Sequence, residues 1–322
     1  MKNLQVPYNW DLNILPIYAA WSDFISDLYF PADPQYFASA RRVKFPENYY
    51  EHEERIIQIC KNNNIRSSLL LNGSNAMISD NDFNKLVLYL NRLIDLGLNV
   101  VVISNPALAP LIRKHWPQIS IRLSILSLEW TIGKIYNIYK LGYINEICVP
   151  LEFNRNEDDL KELRRVCPNL KISSLVTSVC RANCPLFFWH QSIENSTNSI
   201  KEANEIYSAY RSLGLESDRS VFKIPFILPS ELGYYSQYYD EFKIEGRTRS
   251  TEELEKFLRY YALGINPIYL ADIIGKYSET LCCPCPPDLK IKDIDKNWLQ
   301  YRRNCKTQCW KECPYGTYCS SM

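Results

Sequence analysis

Short apolar runs alternate with amphipathic stretches along most of this 322-residue chain. The runs "LQVP", "ISDLYF", "SSLLLN", "NVVVIS", "SIRLSIL", "EICVPLEF", "KISSLVTS" and "EFKIEGR" are short and rich in β-branched residues. They predict eight strands covered on both faces, as in a parallel sheet. The segments between them read as helices. The best defined covers residues 82–96, where Phe83, Leu86, Leu90 and Leu93 share one face, Asp80 and Asn81 supply a cap and Gly97 ends the helix. "TEELEKFLRYYALG" is the eighth helix. Eight strand–helix units predict a (β/α)8 barrel, with an open doubly wound sheet as the rival architecture. A further extended stretch, "VFKIPFILPSEL", reads as an irregular strand or a loop crossing the barrel mouth.

Beyond residue 265 this alternation stops. "LCCPCPPDLK" and "NCKTQCWKECPYGTYCSSM" carry too few apolar positions for a core of their own. The expected organisation is a barrel domain over 1–265 and a Cys-rich segment over 266–322 that docks on it. The N-terminus lacks a long apolar stretch and reads as mature sequence; no run suits a membrane span, so the expected location is the cytoplasm. Lys+Arg 37 against Asp+Glu 36 gives a net charge of +1, which excludes a global electrostatic case for nucleic acid or anionic membrane. A local basic group at Arg41, Arg42 and Lys44 is left open.

Composition changes the picture at cysteine. There are 12, and seven lie between 282 and 319. In a cytoplasmic chain, cysteines at short spacing point to metal or redox chemistry, because a tight loop lets neighbouring thiolates converge on one centre. Cys180 and Cys184 form one pair; Cys305, Cys309, Cys313 and Cys319 form a second group. Within "CCPC", Cys285 and one of Cys282 or Cys283 are further candidates. Cys60 and Cys148 sit in apolar patterns and read as small core residues, as does Cys167. The three-cysteine signature of radical S-adenosylmethionine enzymes does not fit, since Phe187 occupies its third position.

In a barrel, chemistry gathers at the C-terminal ends of the strands. Asn72, Ser104, Glu152 and the Cys180–Cys184 loop fall there. Lys243, Glu245 and Arg247 alternate along the eighth strand and so share a face, which makes them either substrate contacts or a salt-bridge network. His190, six residues after Cys184, reads as a ligand, a proton donor or a satisfied loop histidine. With only 10 glycines and no GxGxxG or GxxxxGK, a phosphate loop is not expected.

Several of these motifs resemble the collagenase-like peptidase family U32. "YYDEFKIEGRTRS" resembles its Phe-Lys-Ile-Glu-Gly-Arg signature, and "PFILPSELGYY" the segment leading into it. "FASARR" is similar to its Phe-Ser-Ala-Arg motif with one extra residue. "EICVPLEFNRNEDDLKELRR" is similar to a strand and helix with an Arg-Glu-Leu motif, but Pro150 stands where arginine is usual. The resemblance spans roughly residues 5 to 265. It implies a 4Fe-4S cluster held by cysteines at the barrel mouth, with Cys180 and Cys184 in the matching place. It also implies oxygen-independent hydroxylation of an RNA base or a small molecule, served by an electron-donor protein or partner subunit.

Proteolysis, the activity in the family's name, is poorly supported by the residues. A serine or cysteine protease needs a base near its nucleophile, and only His52, His115 and His190 exist. No His-Glu-x-x-His helix is present. The expectation is an iron–sulfur barrel that modifies an RNA base, a small molecule or a peptide. Zinc in a structural clip, on a non-catalytic binding or scaffold protein, is one alternative, and a genuine peptidase, as the family label suggests, is the other.

Overall fold

The computed structural model describes residues 2–33, 46–73, 80–127, 131–178, 180, 182–184, 187, 221–274, 285–306 and 314–315. Eight parallel strands close into a barrel in chain order: β1 (Leu4–Pro7), β2 (Ile25–Pro31), β3 (Arg66–Leu71), β4 (Val100–Ile103), β5 (Ser120–Leu123), β6 (Glu146–Cys148), β7 (Lys171–Leu175) and β8 (Glu241–Lys243). Each coincides with a predicted apolar run, β2 reaching one residue past its run at Pro31 and β3 starting one residue before its run at Arg66. Closure is made by β1 pairing with β8, Leu4 opposite Phe242 and Gln5 opposite Lys243, which rules out the open sheet.

Alternation along each strand sorts the side chains. Leu28, Phe30, Leu69, Val101, Ile121, Ile147, Ile172 and Phe242 face outward into the main core, under helices α1 (Ile14–Ala20), α2 (Tyr49–Asn62), α3 (Asp80–Leu96), α4 (Leu108–His115), α5 (Ile132–Lys140) and α6 (Glu157–Val166). Tyr29, Leu70, Val100 and Val102 form a separate apolar cluster within the barrel. Leu86, Leu90 and Leu93 of α3 are buried as predicted. The helix runs from Asp80, so Asp80 and Asn81 lie within its first turn. Gly97 ends it at φ +117, its N–H donating to the Leu93 carbonyl at 3.1 Å. The last barrel helix, Thr251–Leu263, opens with a reciprocal Ser250–Glu253 capping box and ends on left-handed Gly264.

The stretch "VFKIPFILPSEL" is irregular. Two single 3-10 turns, Val221–Lys223 and Pro229–Glu231, flank a buried extended piece that lies along β7, with Ile227 N–H donating to the Val176 carbonyl at 3.2 Å. Residues 285–306 pack on this stretch. Trp298 is buried with its ring edge-on to Phe222 at 4.7 Å. Arg302, also buried, donates to the Phe226 carbonyl at 2.5 Å and pairs with Glu231.

Six charged side chains fill the lower lumen. Asp27, Glu146 and Glu241 face Arg66, Arg122 and Lys171, so the formal charges cancel. Arg122 is fully buried and reaches Asp27 at 2.9 Å and Glu146 at 2.6 Å. Gln5 donates to Glu241 at 2.7 Å and Ser68 to Asp27 at 2.7 Å. Burial alone would raise the Glu146 carboxyl, but the Arg122 and Arg66 guanidiniums outweigh it and hold the group far below the carboxylate range. Glu241 is lowered by the same balance.

Removing the central cation leaves three buried carboxylates with only Arg66 and Lys171 to balance them. Arg122→Met is therefore expected to destabilise the fold by about 3–5 kcal/mol, measured by urea unfolding. The sign with pH follows from the depressed carboxyls: their contribution is complete above the ordinary value of 4.5 and is lost as pH falls below it toward the folded-state values. Wild-type melting temperatures should drop steeply through that acid range, and those of Arg122→Met less so.

Candidate functional site at the barrel mouth

β7 and β8 set the site. Beyond β7, Val176 N–H donates to the Lys243 carbonyl at 3.0 Å, and Thr177 Oγ1 accepts from Glu245 N–H at 2.8 Å. Ser178 Oγ then accepts from Cys180 N–H at 3.1 Å, which turns the chain across the mouth. Ala182 N–H donates to the Lys223 carbonyl at 3.1 Å, tying the loop to the irregular stretch. After β8 the chain turns at Gly246, φ +135, where a Cβ would lie 2.6 Å from Arg249 Cδ. Only glycine fits this turn between Glu245 and Arg247.

The strand itself stops at Lys243, shorter than predicted, yet Lys243, Glu245 and Arg247 all line one cavity of about 70 Å³. Cys180 shares its wall, with Tyr29, Leu70 and Leu175 as apolar lining and Asn72 and Ser124 as polar lining. Asn72 Nδ2 donates to Ser124 Oγ at 3.2 Å. Lys243 is buried, with its Nζ 4.2 Å from the centre of the Tyr29 ring. The ring is held by its hydroxyl, which donates to the Ile244 carbonyl at 2.6 Å. Burial pushes the Lys243 ammonium down to about 8; Cys148 and Asp27 oppose that shift, and Arg122 and Arg247 reinforce it.

Cys184 does not line this cavity. With Cys180 it packs on Leu151, Leu175 and Phe187, a small apolar cluster beside the mouth. Two half-buried thiols in an apolar setting suit a soft metal or a thiolate-ligated cluster. They make half of a four-ligand set. Among the described residues no group of three His, Cys, Asp or Glu side chains is placed to hold a metal ion. Cys305 sits half-buried with its Sγ 3.7 Å from Arg155 Nη1, and Arg155 in turn donates to the carbonyls of Phe222 and Ile224. Cys309, Cys313, Cys319 and His190 lie outside the described residues, as do Cys282, Cys283, Arg41, Arg42 and Lys44.

Other strand-end residues are built into the walls. Ser104 Oγ donates to the Gly73 carbonyl at 2.9 Å, and Glu152 accepts from Asn183 N–H at 2.8 Å. Burial raises the Glu152 carboxyl despite that bond. His52 bonds Tyr8 at 2.7 Å, and His115 stacks edge-on to Phe83 at 5.3 Å; neither lines the cavity.

Cys148 is buried as expected, and on the lumen side. Its neighbour Ile147 lies in the outer core, so by alternation Cys148 shares the lumen face with Glu146 and bears on Lys243. Cys60 and Cys167, by contrast, do belong to the outer core. Sequence reasoning also missed Tyr29 and Ser124. Both were legible in principle, because each falls on the same parity as the inward residues Asp27 and Arg122 of its strand.

Residues 30–183 match the family described as peptidase family U32. An uncharacterized protease, MJ1657, from Methanocaldococcus jannaschii is 22% identical, over 86% of this chain and 83% of its own length. Among solved structures, the U32 peptidase Mk0906 superposes with a TM-score of 0.55 at 17% identity, covering 76% of this chain and 92% of that one. That likeness establishes a shared barrel fold. No helix among the described residues is long and apolar enough to cross a membrane.

Burial ranks the thiols for chemistry. It raises Cys60 far above the thiol range, Cys167 to about 11 and Cys285 to about 12. Among the described cysteines, iodoacetamide treatment of reduced, chelator-treated protein, followed by peptide mass spectrometry, should label Cys180, Cys184 and Cys305 first. Cys60, Cys148, Cys167 and Cys285 should react only on unfolding.

Proposed function

We propose that this chain, which belongs to peptidase family U32, is an iron–sulfur barrel protein that modifies a polar substrate at its mouth and does not hydrolyse peptides. The observation that carries the reading is the convergence of Cys180 with Lys243, Glu245 and Arg247 on one cavity at the C-terminal end of the barrel. A thiol beside three ionisable groups fits redox chemistry on a held substrate better than it fits a resting wall.

Cys180 and Cys184 would hold a 4Fe-4S cluster, with the remaining ligands drawn from Cys305, Cys309, Cys313 and Cys319. Such a cluster, when bound, accepts or delivers single electrons. The rest belongs to the chain. Lys243 and Arg247 attract and orient an anionic or strongly polar group. Glu245 accepts hydrogen bonds from the same substrate or holds a proton beside it. Tyr29, Leu70 and Leu175 keep water from the inner end of the cavity. RNA bases, small molecules and peptides are the substrate classes in view, with hydroxylation as the reaction type and a separate protein or subunit as electron source.

The peptidase reading rests on the names of relatives. It requires a base within reach of a nucleophile, and the two described histidines are engaged elsewhere. The zinc-clip reading rests on the same cysteines and differs in the metal.

Anaerobic purification should give a brown protein with iron and acid-labile sulfide, both lost in the Cys180→Ala/Cys184→Ala variant. A colourless protein after anaerobic reconstitution, or one equivalent of zinc without iron, would overturn the iron–sulfur assignment.

A further inference from the structure

We propose that Lys243 is the anchor of a carboxylate-recognition site at the inner end of the mouth, and that its ligand is a small organic acid reaching from Lys243 toward Arg247. This deepens the reading of the mouth as a substrate site but depends on no metal.

The starting point is an imbalance. Three other cations of the barrel lumen, Arg66, Arg122 and Lys171, each reach at least one carboxylate within 3.0 Å. Lys243 shares their lumen and is buried, yet its Nζ forms no hydrogen bond or ion pair with any described residue. Its contact is the face of Tyr29, which attracts a cation but cannot accept its three N–H groups as an oxygen would. A buried ammonium without an anion is costly, and folds seldom leave one in place. Here the amine opens on the cavity, so a ligand anion can complete the pair.

The surroundings select what kind of anion. Among the described residues, Tyr29 and Asp27 from β2, Arg122 from β5, Cys148 from β6, Cys180 beyond β7, and Glu245 and Arg247 beyond β8 are the ionisable groups around the amine or on the cavity wall. Asp27 is already committed to Arg122 and Ser68. Arg247 lines the same cavity as Lys243 and acts on its charge, so two cations face one short space. Ser124 Oγ on the lining accepts from Asn72 Nδ2 and from Leu126 N–H, which leaves its own O–H to donate to a ligand oxygen. One ammonium beside one hydroxyl donor matches a planar two-oxygen group. A phosphate, with three oxygens, would want a backbone cradle or a second cation beside the first. The depressed proton affinity of Lys243 agrees with an amine waiting for its counter-ion, because an arriving carboxylate restores the charged form.

The test is calorimetric titration of the full chain with malonate and, separately, with inorganic phosphate. Malonate should bind, and Lys243→Met should weaken it at least tenfold while retaining the wild-type melting profile. Lys140→Met, which changes an exposed lysine of α5, should bind as wild type does. Absence of malonate binding by the folded protein, or equal affinity in Lys243→Met, would overturn the proposal. Binding of phosphate in preference to malonate would overturn the carboxylate assignment. Should Lys243→Met itself unfold, Lys243→Gln provides the same comparison. Iron analysis of the same preparations reports on the cluster independently, so the two readings fail separately.

Discussion

The barrel depends on the charge balance around Arg122. Eight strands can close only if their inward side chains fill the lumen, and here the lower half is filled by ions instead of hydrocarbon. Asp27, Glu146 and Glu241 come from β2, β6 and β8, while the cations come from β3, β5 and β7. Every strand in this set except β7, whose Lys171 pairs with Glu241 of its neighbour β8, is thereby tied to a strand that is not its ladder neighbour. The network costs desolvation and repays it only as a complete set, which makes it a strict constraint on strand register.

Above this layer the lumen turns apolar at Tyr29, Leu70, Val100 and Val102, and then ionisable again at Lys243 and Glu245. The apolar layer separates two charged ones. A balanced group of ions below serves closure; an unbalanced group above faces the open end. The same residue types therefore take different parts according to height in the barrel. Arg122 is satisfied by carboxylates of the lumen, and Lys243 has no carboxylate partner among the described residues.

The eight strands were legible because strands covered on both faces leave continuous apolar runs, and their order followed from alternation with helices. Closure was not legible, since it rests on β1 meeting β8 at a sequence separation of 236 in contacts such as Gln5 with Glu241. The ion network was written in the same runs, at Asp27, Arg122 and Glu146, but a charge inside an apolar run reads as a strand end until register is known. The burial of Cys148 was legible and its face was not, for a related reason: an apolar pattern gives burial without saying which side of the sheet is buried. The grouping of Lys243, Glu245 and Arg247 was anticipated from alternation. Its actual cause is partly the left-handed turn at Gly246, which returns Arg247 to the mouth after the strand has ended.

The docking of Trp298 and Arg302 on the 221–231 stretch has a consequence for reach. It fixes Cys305 beside Arg155, on the side of the barrel where β6 ends. A group held at such an anchor meets its neighbours at an effective concentration set by the geometry of the tether instead of by diffusion from bulk. Any change that loosens Trp298 would therefore lower the effective concentration of the Cys305 thiol at Arg155 without touching the cysteine itself.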